Sequence, residues 1–205
     1  MKKLLLVAVA ATLAAVAAEA RADTILPAKS AWNYTFTNPT GDATWNTTTG
    51  VGGIWSSGLA PFGNQAGGDP DFIEQTYWPE SGGGGDDLWV RKAIDLTGFD
   101  LSGIAWALGV DNGFKLYANG NLVASDNAEG YTFRWEYSGG IPSAFLTSGI
   151  NVIAVALEDH GGGTAFDMEV YSRAVTGPAV PLPSAALLGL PLLGTVFALR
   201  RRRAR

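Results

Sequence analysis

The chain has 205 residues with 14 bases, 19 acids, one His and no Cys, and its formal net charge is −5. Without Cys there is no disulfide framework, thiol catalysis or Cys-ligated zinc, and a single His excludes multi-histidine metal sites. Residues 1–22 carry +2, residues 179–205 carry five Arg and no acid, and residues 23–178 carry 18 acids against 6 bases, a net of −12; so acidic a body argues against nucleic acid as a partner, because phosphate binding needs a basic face.

The first element is an address. Lys2 and Lys3 precede an apolar run from Leu4 to Ala18, and Ala20, Arg21 and Ala22 place small residues where a signal peptidase reads them. Residues 1–22 read as a secretory signal peptide, with the mature chain starting at Asp23. The apolar run is short for an anchoring helix.

From Asp23 to residue 177 the chain is punctuated by Gly and Asn, and it has no long stretch of helical periodicity. The expected fold class is all-β, a single β-sandwich. Tyr77 and Trp78 lie in a loop bounded by Pro and Gly and are the expected exposed pair among the chain's seven Trp and six Tyr. Sugars stack their apolar faces on such rings, so these two are the candidate glycan contacts. The Gly82 to Gly85 run reads as a flexible loop rather than a phosphate cradle, since Asp86 and Asp87 follow where a Lys is needed. Leu88, Val90, Ile94 and Leu96 fall on one face of a strand, with Arg91 and Asp95 on the other. Residues 104–110, including Trp106 as a core residue, and residues 152–157 are apolar on both faces, as central strands are. Asp111-Asn112-Gly113 and Asn119-Gly120 are expected to tolerate positive φ and close hairpins around residues 114–118. Tyr131, Phe133, Trp135 and Tyr137 alternate with polar residues as a half-buried strand does, and Gly161-Gly162-Gly163 precedes a last strand over residues 165–171.

Chemistry-bearing residues are sparse. Glu158-Asp159-His160, with Ser172 elsewhere, is the nearest thing to a catalytic cluster, but adjacency does not make a triad and no Gly-x-Ser-x-Gly elbow exists. The expected role is a polar loop capping the strand before it, so no catalytic residue is assigned. Asp86, Asp87, Glu158 and Asp167 are the carboxylates from which a glycosidase pair would be drawn, and their separations are not readable from sequence. The acids also offer oxygen ligands for a structural calcium ion, against which stands a simple reading as solvated surface charge; no calcium-loop spacing is present, and the metal ligands stay unassigned.

The pieces Trp89-Val90-Arg91-Lys92, Ile94-Asp95-Leu96, Asp111-Asn112-Gly113, Leu116 to Gly120 and Gly149 to Val155, with Trp55 to Gly63 upstream, resemble a galactose-binding-like jelly roll. That resemblance implies a fold shared by sugar-binding and purely structural modules, sometimes with structural calcium, and does not settle function.

The last element is a second address. An apolar stretch from Val180 to Leu199 ends in Arg200, Arg201, Arg202, Arg203 and Arg205. Pro181 and Pro183 keep its start extended, a membrane helix is expected over residues 184–199, and the arginines hold that end in the cytoplasm. Val180-Pro181-Leu182-Pro183-Ser184, the Leu/Gly-rich span and the Arg cluster resemble a PEP-CTERM sorting signal in its VPLPA variant, with Ser184 in place of the variant's alanine. The resemblance implies an exosortase-type processing enzyme as partner, a transient anchor in the inner membrane of a Gram-negative bacterium, and delivery to the cell surface or an exopolysaccharide matrix. The organisation expected is therefore signal peptide 1–22, jelly roll 23–177 and sorting signal 178–205. The expected function is that of a non-catalytic secreted protein sorted to the cell surface or exopolysaccharide matrix, with glycan binding there as its candidate activity, and with a purely structural matrix protein and a small secreted glycan hydrolase as the rival readings.

Overall fold

The computed structural model describes residues 23–47, 53–64, 73–79, 87–127 and 135–173. The expected signal peptide and sorting signal, including Val180 to Ser184 and Arg200 to Arg203, lie outside these residues, as do the Gly82 to Gly85 run and Asp86.

Twelve strands occur among the described residues: β1 (Asp23–Leu26), β2 (Ala31–Thr35), β3 (Ser56–Leu59), β4 (Phe62–Gly63), β5 (Thr76–Tyr77), β6 (Leu88–Asp95), β7 (Ile104–Asp111), β8 (Gly113–Ala118), β9 (Asn121–Asp126), β10 (Tyr137–Gly140), β11 (Ile150–Glu158) and β12 (Ala165–Ser172). They form two sheets, making an all-β sandwich. The first has the order β10-β7-β12-β4-β5, with β1 also paired to β12, and the second the order β3-β2-β6-β11-β8-β9. The chain switches sheet at most steps from β6 onward, so the pairings that build each sheet are long-range. No helix among the described residues is long and apolar enough to cross a membrane.

The inner faces of the two sheets share one core. Trp32, Phe62, Trp78, Phe114 and Phe166 are its largest fully buried side chains, and Trp32 meets Phe166 edge-on with ring centroids 5.5 Å apart. All eight residues of β7 are buried. Its outward positions are Ala105, Ala107 and Gly109, too small to expose much apolar surface, while Trp106 and Leu108 face the core. In β11, residues 151–155 are all buried, and the strand lies between β6 and β8. Both apolar runs are thus central strands, as their composition predicts.

Two expectations fail locally. Residues 111–113 do not close a hairpin: β7 and β8 belong to different sheets, and Asp111-Asn112-Gly113 is a corner between them. The corner is held from a distance. The Asn112 amide donates to the Glu158 carbonyl at 3.2 Å, and the His160 amide donates to Asn112 Oδ1 at 2.9 Å. Gly113 is needed for close approach rather than for positive φ, since a Cβ there would lie 3.1 Å from the Asp126 carbonyl oxygen. The alternating run over residues 131–137 is likewise not one strand in its described part: Trp135 sits in a turn with φ of 63°, and β10 begins at Tyr137. Small residues decide that pairing, because Gly139 packs on the Trp106 ring where a Cβ would meet ring atoms at 3.2 Å.

Asn119-Gly120 does close the β8–β9 hairpin, with φ of 48° and 81°. Its Asn joins a polar clasp. The side-chain amide of fully buried Asn151 donates to the Thr147 and Gly149 carbonyls at 2.7 and 2.8 Å, and Oδ1 of Asn151 accepts from the Thr147 amide and from Asn119 Nδ2, both at 2.8 Å. Asn119 Oδ1 in turn accepts from the Val152 amide at 2.8 Å. With these donors and acceptors paired, Asn151 fixes the loop before β11 despite its own burial.

Candidate functional site

The outer face of the second sheet is built from alternate residues of three adjacent strands. In register, Ala156 of β11 lies between Trp89 of β6 and Lys115 of β8, and Ala154 lies between Arg91 and Tyr117. Ala156, flanked by Trp89 and Lys115, makes a floor with raised walls, while Ala154 is buried beneath its neighbours. Glu158, next on the same face of β11, lies opposite Gly113, which adds no side chain beside it.

The segment after β2 supplies the remaining wall through a series of tight turns. Asn38 Oδ1 accepts from the Thr40 amide at 2.9 Å and Asp42 Oδ1 from the Thr44 amide at 2.8 Å, while the Trp45 amide donates to the Asp42 carbonyl at 3.1 Å. These self-bonded turns place Trp45 edge-on to Tyr117, with centroids 5.6 Å apart. Arg91, almost fully buried, locks the arrangement: Nη1 donates to the Trp45 carbonyl at 3.0 Å, and its guanidinium lies 4.0 Å above the Trp55 ring. Trp45, Trp89 and Ala154 thus form a second apolar cluster, separate from the main core.

A cleft of about 200 Å³ opens beside this cluster, lined by Asn38, Thr40, Trp45, Asp87, Trp89, Lys115, Tyr117 and Glu158. That is smaller than the roughly 300–1,000 Å³ of sites for drug-sized ligands, a size suited to a single ring. Its charges are arranged in sequence. Lys115 Nζ donates to Glu158 Oε1 in direct contact, and this bond, with the carboxylates of Glu158 and Asp87 nearby, holds the Lys115 ammonium above its ordinary pKa. His160 Nε2 lies 3.6 Å from Glu158 Oε2. Asp87 Oδ1 accepts a long bond of 3.3 Å from the Asp159 amide. Burial, joined by the charges of Glu158 and Asp159, pushes the Asp87 carboxyl above the usual carboxylate range. At the neighbouring corner, burial and the charge of Asp159 push Asp111 up to about 6.

The residues expected from sequence are distributed differently. Tyr77 is 66% exposed, but Trp78 is fully buried in the core, and its carbonyl accepts from the Thr164 hydroxyl at 2.6 Å. The exposed pair is therefore not formed: consecutive residues on extended backbone point to opposite faces, so one of the two had to turn inward. Glu158 joins the cleft, while Asp159 Oδ1 accepts from the Gly161 amide at 2.7 Å and shapes the loop before β12. Ser172 sits at the other end of β12, roughly 23 Å along the strand rise from the end this loop enters, and takes no part in a triad with it. Asp167 is fully buried in β12 and accepts from the Lys29 and Met168 amides. Of the carboxylates considered for hydrolysis, Asp87 and Glu158 share the cleft and Asp167 does not.

Among the described residues no three His, Asp or Glu side chains come together as metal ligands. Several acids are occupied locally instead. Asp42, Asp95 and Asp100 each accept from the hydroxyl and amide two residues on, at Thr44, Thr97 and Ser102, and these bonds lower their pKa values.

No family model matches the chain, and no curated protein matches it in sequence. Among solved structures, it is similar to the β-glucuronidase of Bifidobacterium dentium complexed with coumarin-3-O-glucuronide, at 14% identity over 67% of this chain and 20% of that one, with a TM-score of 0.43. It is also similar to the β-glucuronidase of Ruminococcus gnavus, at 10% identity over 74% of this chain and 29% of that one, with a TM-score of 0.45. The chain spans less than a third of either enzyme, and no residue or activity is carried over from them.

Proposed function

We propose that this is an exported, non-catalytic glycan-binding protein whose body is a jelly roll and whose cleft on the outer face of the second sheet receives one saccharide ring. The observation that carries the reading is the cleft's composition. A concave site with an aromatic wall of Trp45, Trp89 and Tyr117, and with hydroxyl, amide, carboxylate and ammonium groups around it, has the two kinds of surface a sugar ring presents. The alternation of strands between sheets supports the jelly roll.

The presence of Asp87 and Glu158 in one cleft is what favours the rival reading of a glycan hydrolase. Glu158 is already engaged by Lys115 and so is less free to act on a substrate, which supports binding over turnover. The structural matrix reading gives the cleft no ligand. Calorimetry of the protein against a panel of oligosaccharides separates the three: micromolar to millimolar binding lost in Tyr117→Ala is expected, product release would establish the hydrolase, and no binding to any glycan would leave the structural protein.

The two ends extend the proposal to localisation. The signal peptide and the sorting signal around Val180 to Ser184 support export, a transient inner-membrane anchor and processing by an exosortase-type enzyme before release to the surface or matrix. Surface-located protein from the native host is expected to have an intact mass lacking the Arg200 to Arg205 cluster; a retained cluster would contradict processing.

A further inference from the structure

Counted charge by charge, the cleft is unbalanced. Asp87 and Glu158 both line it, and the cation lining it among the described residues, Lys115, is engaged by Glu158. Among the described residues Asp87 accepts one hydrogen bond, the 3.3 Å bond from the Asp159 amide, which leaves most of its lone-pair capacity unused. The aromatic side chains that complete the wall carry negative π faces, which attract a cation and not an anion. Two independent features therefore ask for the same ligand charge. At longer range, a body with 18 acids against 6 bases repels polyanions on approach.

We infer that the cleft selects a saccharide bearing a free amine, a hexosamine unit whose ammonium group pairs with Asp87 beside Trp45, Trp89 and Tyr117, over the N-acetylated and uronate forms of the same size. This rests on the glycan-binding reading. N-acetylation removes the charge and adds bulk to a cleft suited to one ring, and a uronate places a carboxylate against Asp87. A partly buried ion pair together with cation–π attraction gives an expected preference of about tenfold for the amine.

The test uses the full chain and three disaccharides: di-glucosamine, its di-N-acetyl form and a digalacturonate, titrated by calorimetry at pH 6 and constant ionic strength. Di-glucosamine is expected to bind about tenfold more tightly than the N-acetyl form, with no measurable uronate binding. In Asp87→Asn that ratio is expected to fall to about one. Asp95→Asn, which removes the same charge from an exposed position on β6 away from the cleft, is expected to keep the ratio. Equal binding of amine and N-acetyl forms by the unaltered protein, or tighter uronate binding, overturns this inference while leaving the glycan-binding reading in place. Amine binding that falls equally in Asp87→Asn and Asp95→Asn is attraction to the acidic surface and also overturns it. No binding of any of the three overturns this inference, and the wider oligosaccharide panel then decides the glycan-binding reading separately.

Discussion

The two faces of the second sheet come from the same three strands and do different work. On β8, Phe114, Leu116 and Ala118 point inward and are buried, while Lys115 and Tyr117 between them point outward to the cleft. On β11, Ile153, Val155 and Leu157 fill the core, while Ala156 and Glu158 make the floor and one wall of the cleft and Ala154 is buried in the outer apolar cluster. Stability and recognition are thus interleaved at a period of two, so neighbouring residues are expected to respond to substitution in opposite ways.

The largest effect belongs to the inner face. Leu116→Ala, at a fully buried position, is expected to cost about 3 kcal/mol of unfolding free energy in a denaturant titration. A loss below about 1 kcal/mol would break the contrast between the faces.

Next comes the polar clasp that fixes the loop before β11. Asn151→Ala strips partners from the Thr147 amide and carbonyl, the Gly149 carbonyl and the Asn119 side chain, and should cost about 2 kcal/mol, since buried polar groups left unpaired carry their desolvation penalty. Asn151→Asp, which keeps acceptors but loses the amide donor, should recover only part of it.

The corner beside the cleft sharpens the comparison through pH. The Asp111 carboxyl is raised to about 6 in the fold, above its ordinary value, so between about pH 4 and pH 6 the folded state holds more protons than the unfolded chain. Stability contributed here is therefore present at low pH and falls as pH rises through that window. Asp111→Asn should flatten this dependence and raise stability near pH 7.5 by about 1 kcal/mol, read as melting temperature against pH. An unchanged pH profile would remove Asp111 from the account.

The smallest effect on stability is expected on the outer face itself. Tyr117→Ala should cost no more than about 1 kcal/mol, mainly its edge contact with Trp45, yet weaken saccharide binding by tenfold or more. If it unfolded the protein as readily as Leu116→Ala, the outer cluster would be core and not a site.

What the sequence disclosed and what it hid follow from the range of the interactions. β7 and β11 were legible because a strand covered on both faces has an apolar run that nothing else between residues 23 and 177 imitates. The sheet switch at residues 111–113 was not, because Asp-Asn-Gly has the composition of a hairpin turn and its partners at Glu158 and His160 are distant in sequence. Trp78 was misplaced for a similar reason: β5 is two residues long and gains its orientation from parallel pairing with β4, where Gly63 meets Tyr77. The cleft required the register of three strands, which sets Trp89 and Lys115 on either side of Ala156. One signal was available, the alternation of Trp89 and Arg91, and of Lys115 and Tyr117, with apolar residues. It marks a face that is neither core nor plain solvated surface.

The claim that this outer face is the recognition surface is tested most directly by locating a bound saccharide. In a heteronuclear NMR titration with di-glucosamine, the largest backbone amide shifts are expected at residues 38–45, 87–89, 115–117 and 156–158, saturating together with a single dissociation constant. Shifts centred instead on Tyr77 and β5, or scattered over the acidic surface without saturation, would contradict the account.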